Sequence, residues 1–229
     1  MDGLQDEQIL ENQVFGMQGA ESGGENIYGF IDDVAAGTPA PGGGSSAAYA
    51  GALGAALTMM LARLTVGKKH YADVEQEALD IIDKAETLRV ALTEGIEKDA
   101  KSYDSVLEAM RLPKGSDEEI AARDEAILRA SLHAASIPLE NARNCLAVLR
   151  LATRMTEIGN VNALSDAAAG AHMAKAGFMA AGLNVRINLV DYRNHAEAAA
   201  MMAEWNEMSH EVDALLAKMS EVVAERANI

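Results

Sequence analysis

Asp99 stands where an apolar residue belongs. Val74, Ala78, Ile81, Ala85, Leu88, Leu92, Ile96, Tyr103, Val106 and Met110 follow one another at the alternating three and four spacing of one helical seam. Between Ile96 and Tyr103 that spacing requires an inward residue at position 99, and the residue there is a carboxylate. A carboxylate on an apolar stripe must be hydrogen-bonded, paired, or desolvated with a raised pKa. Two roles stay open. Asp99 can pair with a lysine or cap a neighbouring helix, or it can give and take protons near neutral pH. Lys98 and Lys101 flank it but point off the seam, so a partner must come from elsewhere.

A second candidate is "PGGGSS", Pro41 to Ser46. Glycines directly before a helix permit close backbone approach and leave free N–H groups at a positive dipole end, which suits an anion or a carbonyl. The stretch lacks the G-K-[ST] ending and the G-x-G-x-x-G spacing of the common nucleotide loops, and a tight turn between packed helices explains it equally. The third candidate is a polar set on an Ala-rich helix. Asn162, Asp166, Asn184 and Asn188 fall within about 80° of one another on a helical wheel at 100° per residue. Either they make interhelical hydrogen bonds and caps, or they form a face for a polar heterocycle. The fourth is "GKKHY", Gly67 to Tyr71, a basic cluster that reads as a solvated loop or as a docking patch for carboxylates.

Other chemistries find little support. His70, His133, His172, His195 and His210 show no ligand-like pairing, so no metal site is expected, and no serine or cysteine nucleophile signature is visible. Cys145 is the only cysteine, which excludes an intrachain disulfide. The formal charge is −16, with an isoelectric point near 4.6, and such a surface repels nucleic acid and anionic lipid. The acidic N-terminus lacks a basic n-region with an apolar core, so a cytoplasmic protein is expected. Ser45 to Leu61 is long enough to suggest a membrane span, but its alanines and glycines and the nearby Arg63, Lys68 and Lys69 favour a buried helix.

The elements that position these groups are helical, with no strand-like alternation. Residues 1–24 read as a mobile acidic tail and 25–229 as one all-α domain. A short helix ends at Gly37, and a second runs from about Gly44 to Thr65, with Ala47, Gly51 and Ala55 admitting a neighbouring backbone. A long helix covers Val74 to Met110. Ser116 and Glu119 offer a capping box for the next, Asp117 to Glu157, which Pro138 should bend or split. Further helices cover about Val161 to Leu189 and His195 to Ala224. Helices this long and this rich in alanine predict a bundle completed by homodimerisation.

Five landmarks in order resemble the cyclodeaminase/cyclohydrolase family of folate one-carbon metabolism: "TPAPGGGS", "LTVGKKHY", "KDAKSYDSVLEAMRLPK", "SIPLENA" and "GNVNALSDAAAGAHMAKAGFMAAGLNVRINL". The family includes the C-terminal domain of formiminotransferase-cyclodeaminase and stand-alone methenyltetrahydrofolate cyclohydrolases. The resemblance spans about Tyr28 to Asp191. It implies an all-helical fold that dimerises or assembles further, with the folate cleft near the subunit interface. It implies Asp99 as catalytic carboxylate, Gly42, Gly43, Gly44 and Ser45 lining the cleft, and Lys68 and Lys69 docking the folate glutamate tail. Asn160, Asn162, Ser165, Asp166, Asn184 and Asn188 match polar positions of the last motif. The implied substrate is a tetrahydrofolate derivative, with no tightly bound cofactor. The expected reaction is hydrolysis of 5,10-methenyltetrahydrofolate to 10-formyltetrahydrofolate with Asp99 as general acid and base. The alternatives are cyclodeamination of 5-formimidoyltetrahydrofolate and a non-catalytic folate-binding scaffold. The "GKKHY" loop resembles the stand-alone cyclohydrolases more than the fused enzymes, and no transferase segment stands within these residues.

Overall fold

Alanine, leucine and glutamate dominate between the Gly and Pro breaks, and a computed structural model of the chain shows the helices such a composition favours. It describes residues 24–228, so the expected tail lies almost wholly outside the described residues. Six α-helices are present among the described residues, and no strand: α1 (Gly24–Ala35), α2 (Gly43–Thr65), α3 (Glu75–Met110), α4 (Asp117–Ile158), α5 (Leu164–Asn188) and α6 (Ala196–Ala227). Short 3-10 turns, Lys69–Val74, Val161–Ala163 and Val190–Tyr192, lead into α3, into α5 and out of α5.

Helix α1 forms its own unit, with Ile31 and Val34 exposed, and it stops at Gly37, whose φ of 76° is the left-handed value that ends helices. From Pro39 onward the chain forms one compact unit. Its core is small-residue packing. A Cβ on Gly54 would stand 2.7 Å from the Gly170 carbonyl oxygen, and one on Gly177 would stand 2.6 Å from that of Ala47. The backbones of α2 and α5 therefore touch, as the small residues of α2 predict. Gly51 instead faces Leu92 and the buried Cys145.

Helix α6 docks through Trp205, which stacks on Phe178 at 5.4 Å, presses on Gly182 and lies under the Arg186 guanidinium at 4.2 Å. Two outer ion pairs, Arg143 with Glu204 and Arg150 with Glu211, repeat seven residues apart along α4 and α6.

The α4 cap is half as expected. The Glu119 N–H donates to Ser116 Oγ at 3.3 Å, but the Glu119 carboxylate accepts from Gly115 N–H at 2.6 Å. Pro138 does not split α4, which continues through it from Asp117 to Ile158. The reason lies at the carbonyl of Ala134. Proline offers no N–H to it, and the side-chain amide of Asn188 donates there instead, at 2.9 Å. Helix α2 is long and apolar enough to cross a membrane by length and composition, and half of that stretch is buried inside the bundle.

Candidate active site

The glycine stretch and Asp99 belong to one structure. Gly42 precedes α2, and Gly43, Gly44 and Ser45 are its first three residues, so their N–H groups are those a helix leaves without internal partners. Asp99 on α3 lies directly against this end. A Cβ on Gly44 would stand 2.1 Å from Asp99 Oδ1, closer than any side chain allows. Ser45 Oγ is 3.0 Å from Asp99 Oδ2 and 3.1 Å from the Ile96 carbonyl, so its single proton serves one or the other. The Ser45 backbone N–H also donates to the carboxylate. The positive end of α2 and the Ser45 donors hold Asp99 in place.

Burial dominates its protonation. Desolvation pushes the Asp99 carboxyl above the ordinary 3.8, and the Ser45 hydrogen bonds pull it back only in part. Among the described residues no lysine or arginine pairs with it; its carboxylate instead engages the first turn of α2 through Ser45, so of the readings left open by the sequence the structure contains the contact with a neighbouring helix end and not the lysine pair.

Beside Asp99 a cleft of about 290 Å³ opens between the ends of α2, α3, α4 and α5. Tyr103, Val106 and Met110 give it one apolar wall, and Ile127 and Ile187 another. Asn184 and Asn188 line the cleft one turn apart on the same face of α5. Their amide N–H groups donate to the carbonyls of Ala180 and Ala134, both at 2.9 Å, which leaves the two Oδ1 atoms as acceptors for a donor-bearing ligand. Gly43 fits against Asn184, where a Cβ would come within 3.1 Å of Nδ2. Among the described residues no lysine or arginine lines the cleft, and the acidic side chains that do are Asp99 and Asp191.

The structure thus brings Gly42, Gly43, Gly44, Asp99, Asn184 and Asn188 into one cleft, with Ser45 directly behind the carboxylate. Lys68, Lys69, Asn160, Asn162, Ser165 and Asp166 stand elsewhere, at the opposite end of α2 and α5. Asn160 ties that end together: its N–H donates to Thr65 Oγ1 at 2.9 Å, its Nδ2 to the Leu64 carbonyl at 3.0 Å, and its Oδ1 caps Asn162 N–H. The single polar face drawn from Asn162 to Asn188 is therefore corrected. Residues 161–163 form a 3-10 turn outside α5, and Asp166 and Asn184 are separated by about 27 Å of helix.

Ser102, Ser131, Asp191 and Tyr192 line the cleft without having been singled out from sequence. Pro138 was a signal for Ser131 and Ala134, because it marks the turn of α4 whose carbonyl has no helical N–H partner. Among the described residues, no three His, Cys, Asp or Glu side chains group as metal ligands would.

Known proteins share this architecture. The sequence model of formiminotransferase-cyclodeaminase matches residues 26–207. A methenyltetrahydrofolate cyclohydrolase of Methylorubrum extorquens is 40% identical over 207 residues, covering 90% of this chain and 100% of that protein. A formimidoyltransferase-cyclodeaminase of Mus musculus is 32% identical over 166 residues, covering 72% of this chain but only 31% of that longer protein. The crystal structure of a formiminotetrahydrofolate cyclodeaminase from Thermotoga maritima superposes with a TM-score of 0.77 at 28% identity, covering 86% of this chain and 94% of that one.

Proposed function

The chain belongs to the formiminotransferase-cyclodeaminase family, and we propose that it hydrolyses 5,10-methenyltetrahydrofolate to 10-formyltetrahydrofolate in the cleft beside Asp99. It is an enzyme of folate one-carbon chemistry. The observation that carries the reading is the half-buried Asp99 carboxylate held against the start of α2 by Gly44 and Ser45.

The substrate carries a cationic amidinium carbon bridging N5 and N10. Asp99, ionised and without a protein cation beside it, stabilises that positive charge. Water adds to the bridging carbon while its proton passes to Asp99. The resulting neutral adduct then cleaves at the N5–carbon bond, with Asp99 returning its proton to N5. The remaining hydroxyl loses its proton to solvent as the N10-formyl carbonyl forms. One water is consumed, one proton is released, and Asp99 ends as it began. A carboxyl raised by burial suits both transfers, since a stronger acid would hold the first proton poorly. The acceptor oxygens of Asn184 and Asn188 suit the N–H edge of a pterin ring, and Tyr103 and the apolar walls suit its faces.

Cyclodeamination is the second reading, favoured by the likeness to the Thermotoga maritima enzyme. There N10 attacks the carbon of the protonated formimidoyl group on N5, the N10 proton passes to Asp99, and Asp99 returns it to the departing amino nitrogen, which leaves as ammonia while the methenyl cation forms. Hydrolysis is preferred because the cyclohydrolase relative matches at higher identity over its whole length. The test is absorbance: purified protein should speed loss of the methenyl chromophore, whereas appearance of that chromophore from 5-formimidoyltetrahydrofolate would select the deaminase.

Neither route needs a metal or a redox cofactor, and we assign none. The reading places the enzyme in the cytoplasm as a homodimer or higher homo-oligomer. The exposed Leu53, Met60 and Leu64 on α2 and Met173, Leu183 and Ile187 on α5 support self-assembly.

A further inference from the structure

We infer that the end of the cleft away from Asp99 reads the 2-amino edge of the pterin ring, with Ser131, Asn188 and Asp191 as the recognising groups. The inference rests on the folate reading above and deepens it by assigning Ser131 and Asp191, two residues that the hydrolysis does not use.

Two polar groups of the cleft have no partner within the protein. Ser131 on α4 is only 7% exposed and lines the cleft, yet no hydrogen bond engages its hydroxyl among the described residues. A hydroxyl buried to that degree is destabilising without a partner, and a ligand atom in the cleft would supply one. Asp191, on the 3-10 turn Val190–Tyr192, brings a second carboxylate to the same cleft. No lysine, arginine or hydrogen-bond donor engages that carboxylate among the described residues. Asp99 already performs both proton transfers of the hydrolysis, so Asp191 has no part in the chemistry itself.

Their placement suits the length of the ring. Helices α3 and α4 run in opposite directions, since Glu77 pairs with Arg154 and Gly95 meets Asn141. Asp99 lies one turn beyond Gly95, and Ser131 nearly three turns before Asn141, which sets the two about 9 Å apart along the bundle. That is close to the span of a pterin from its bridging carbon to its 2-amino group. Asn188 is tied to the same stretch of α4, because its Nδ2 donates at 2.9 Å to the carbonyl of Ala134, three residues after Ser131. Asp191 follows three residues after Asn188. This end of the cleft therefore offers a donor, Ser131 Oγ, then an acceptor, Asn188 Oδ1, then a carboxylate.

A 2-amino-4-oxopteridine presents the complementary order on the edge farthest from its bridging carbon. Ring N1 accepts, the 2-amino group donates twice, and N3–H donates once. Ser131 donates to N1, and Asn188 Oδ1 accepts one amino hydrogen. Asp191 accepts the other amino hydrogen together with N3–H, as two parallel charge-assisted bonds. A ring held this way directs its bridging carbon toward Asp99, with Tyr103, Val106 and Ile187 against its faces. A 2-oxo ring reverses the pattern, because its C2 oxygen then faces two acceptors. A site built on such bonds rejects the wrong edge more strongly than apolar contact alone.

Binding calorimetry on the full chain tests this without turnover. The probes are 5-formyltetrahydrofolate, which lacks the methenyl bridge, and its 2-oxo counterpart. Wild-type protein should bind the 2-amino compound at least about tenfold more tightly than the 2-oxo one. Ser131→Ala should weaken binding of 5-formyltetrahydrofolate by about tenfold at an unchanged melting temperature. Asp191→Asn should erase or reverse the preference, because its new amide N–H can donate to a C2 carbonyl. A merely structural role for Asp191 would weaken both ligands alike, and that result overturns the inference. Equal binding of the two probes by the wild type, or unchanged affinity in Ser131→Ala, also overturns it while leaving the folate reading intact. A wild-type protein that binds neither probe overturns the folate reading and this inference together.

Discussion

Asn188 hydrogen-bonds the carbonyl of Ala134, the group on α4 that Pro138 leaves without a helical N–H. A residue that by rule breaks helices here creates a docking point between α4 and α5, and it fixes a cleft amide in one orientation. Replacing Pro138 with Ala restores an N–H that competes for the Ala134 carbonyl. The expected result is a several-fold rise in KM for methenyltetrahydrofolate with kcat nearly unchanged, read by steady-state kinetics. An unchanged KM would show that the Asn188 anchor does not matter for binding.

Gly44→Ala sets a methyl group 2.1 Å from Asp99 Oδ1, so either the carboxylate or the first turn of α2 must move. Activity should fall at least about tenfold, the cost of misplacing a catalytic group by a fraction of an ångström or more. Gly29→Ala, where nothing lies within 4 Å of the added carbon, serves as the control and should leave kcat/KM unchanged.

The raised pKa of Asp99 has a stability consequence with a definite sign. Burial disfavours the charged form, so the folded pKa lies above the 3.8 of an ordinary aspartate. The contribution is therefore fully present below 3.8 and is lost as pH rises through the folded pKa. At neutral pH the ionised group destabilises the fold relative to a neutral one. Asp99→Asn should melt at or above the wild-type temperature at pH 7, and the difference should shrink as pH falls toward 4. A variant markedly less stable at pH 7 would contradict burial as the dominant cause. Turnover should fall on the acid side with a midpoint above 3.8, because the base form starts the reaction.

Cys145 is buried, and desolvation pushes its thiol up to about 12, so the thiolate is scarcely populated at neutral pH. Ellman's reagent should detect no thiol in the native protein and one per chain in guanidinium. Rapid native labelling would mean that the α2–α4–α5 core opens readily.

The unusual position of Asp99 was legible from helical periodicity, since the seam from Val74 to Met110 has its gap there, although the structure leaves two seam residues, Tyr103 and Met110, exposed. Helix ends were legible at Gly37, Pro113 and Gly159 for the same local reasons. What lies opposite Asp99 was not, since Gly44 is 55 positions away in the chain and meets it only through packing. The wheel that grouped Asn162 and Asp166 with Asn184 and Asn188 kept the angle and ignored the rise along the axis, and it took a 3-10 turn for helix. Of the bend or split expected at Pro138, the split does not occur, because the compensating donor, Asn188, comes from another helix.

The central claim is that Asp99 moves the protons in hydrolysis of the methenyl bridge. Purified wild-type protein and Asp99→Asn should be compared by the decay of methenyltetrahydrofolate absorbance, with circular dichroism to confirm equal helix content. The account predicts rapid enzyme-dependent decay for the wild type and a loss of about 10²-fold or more in the variant. A variant that keeps the wild-type rate, or a wild-type protein that leaves the decay at the buffer rate, would contradict it.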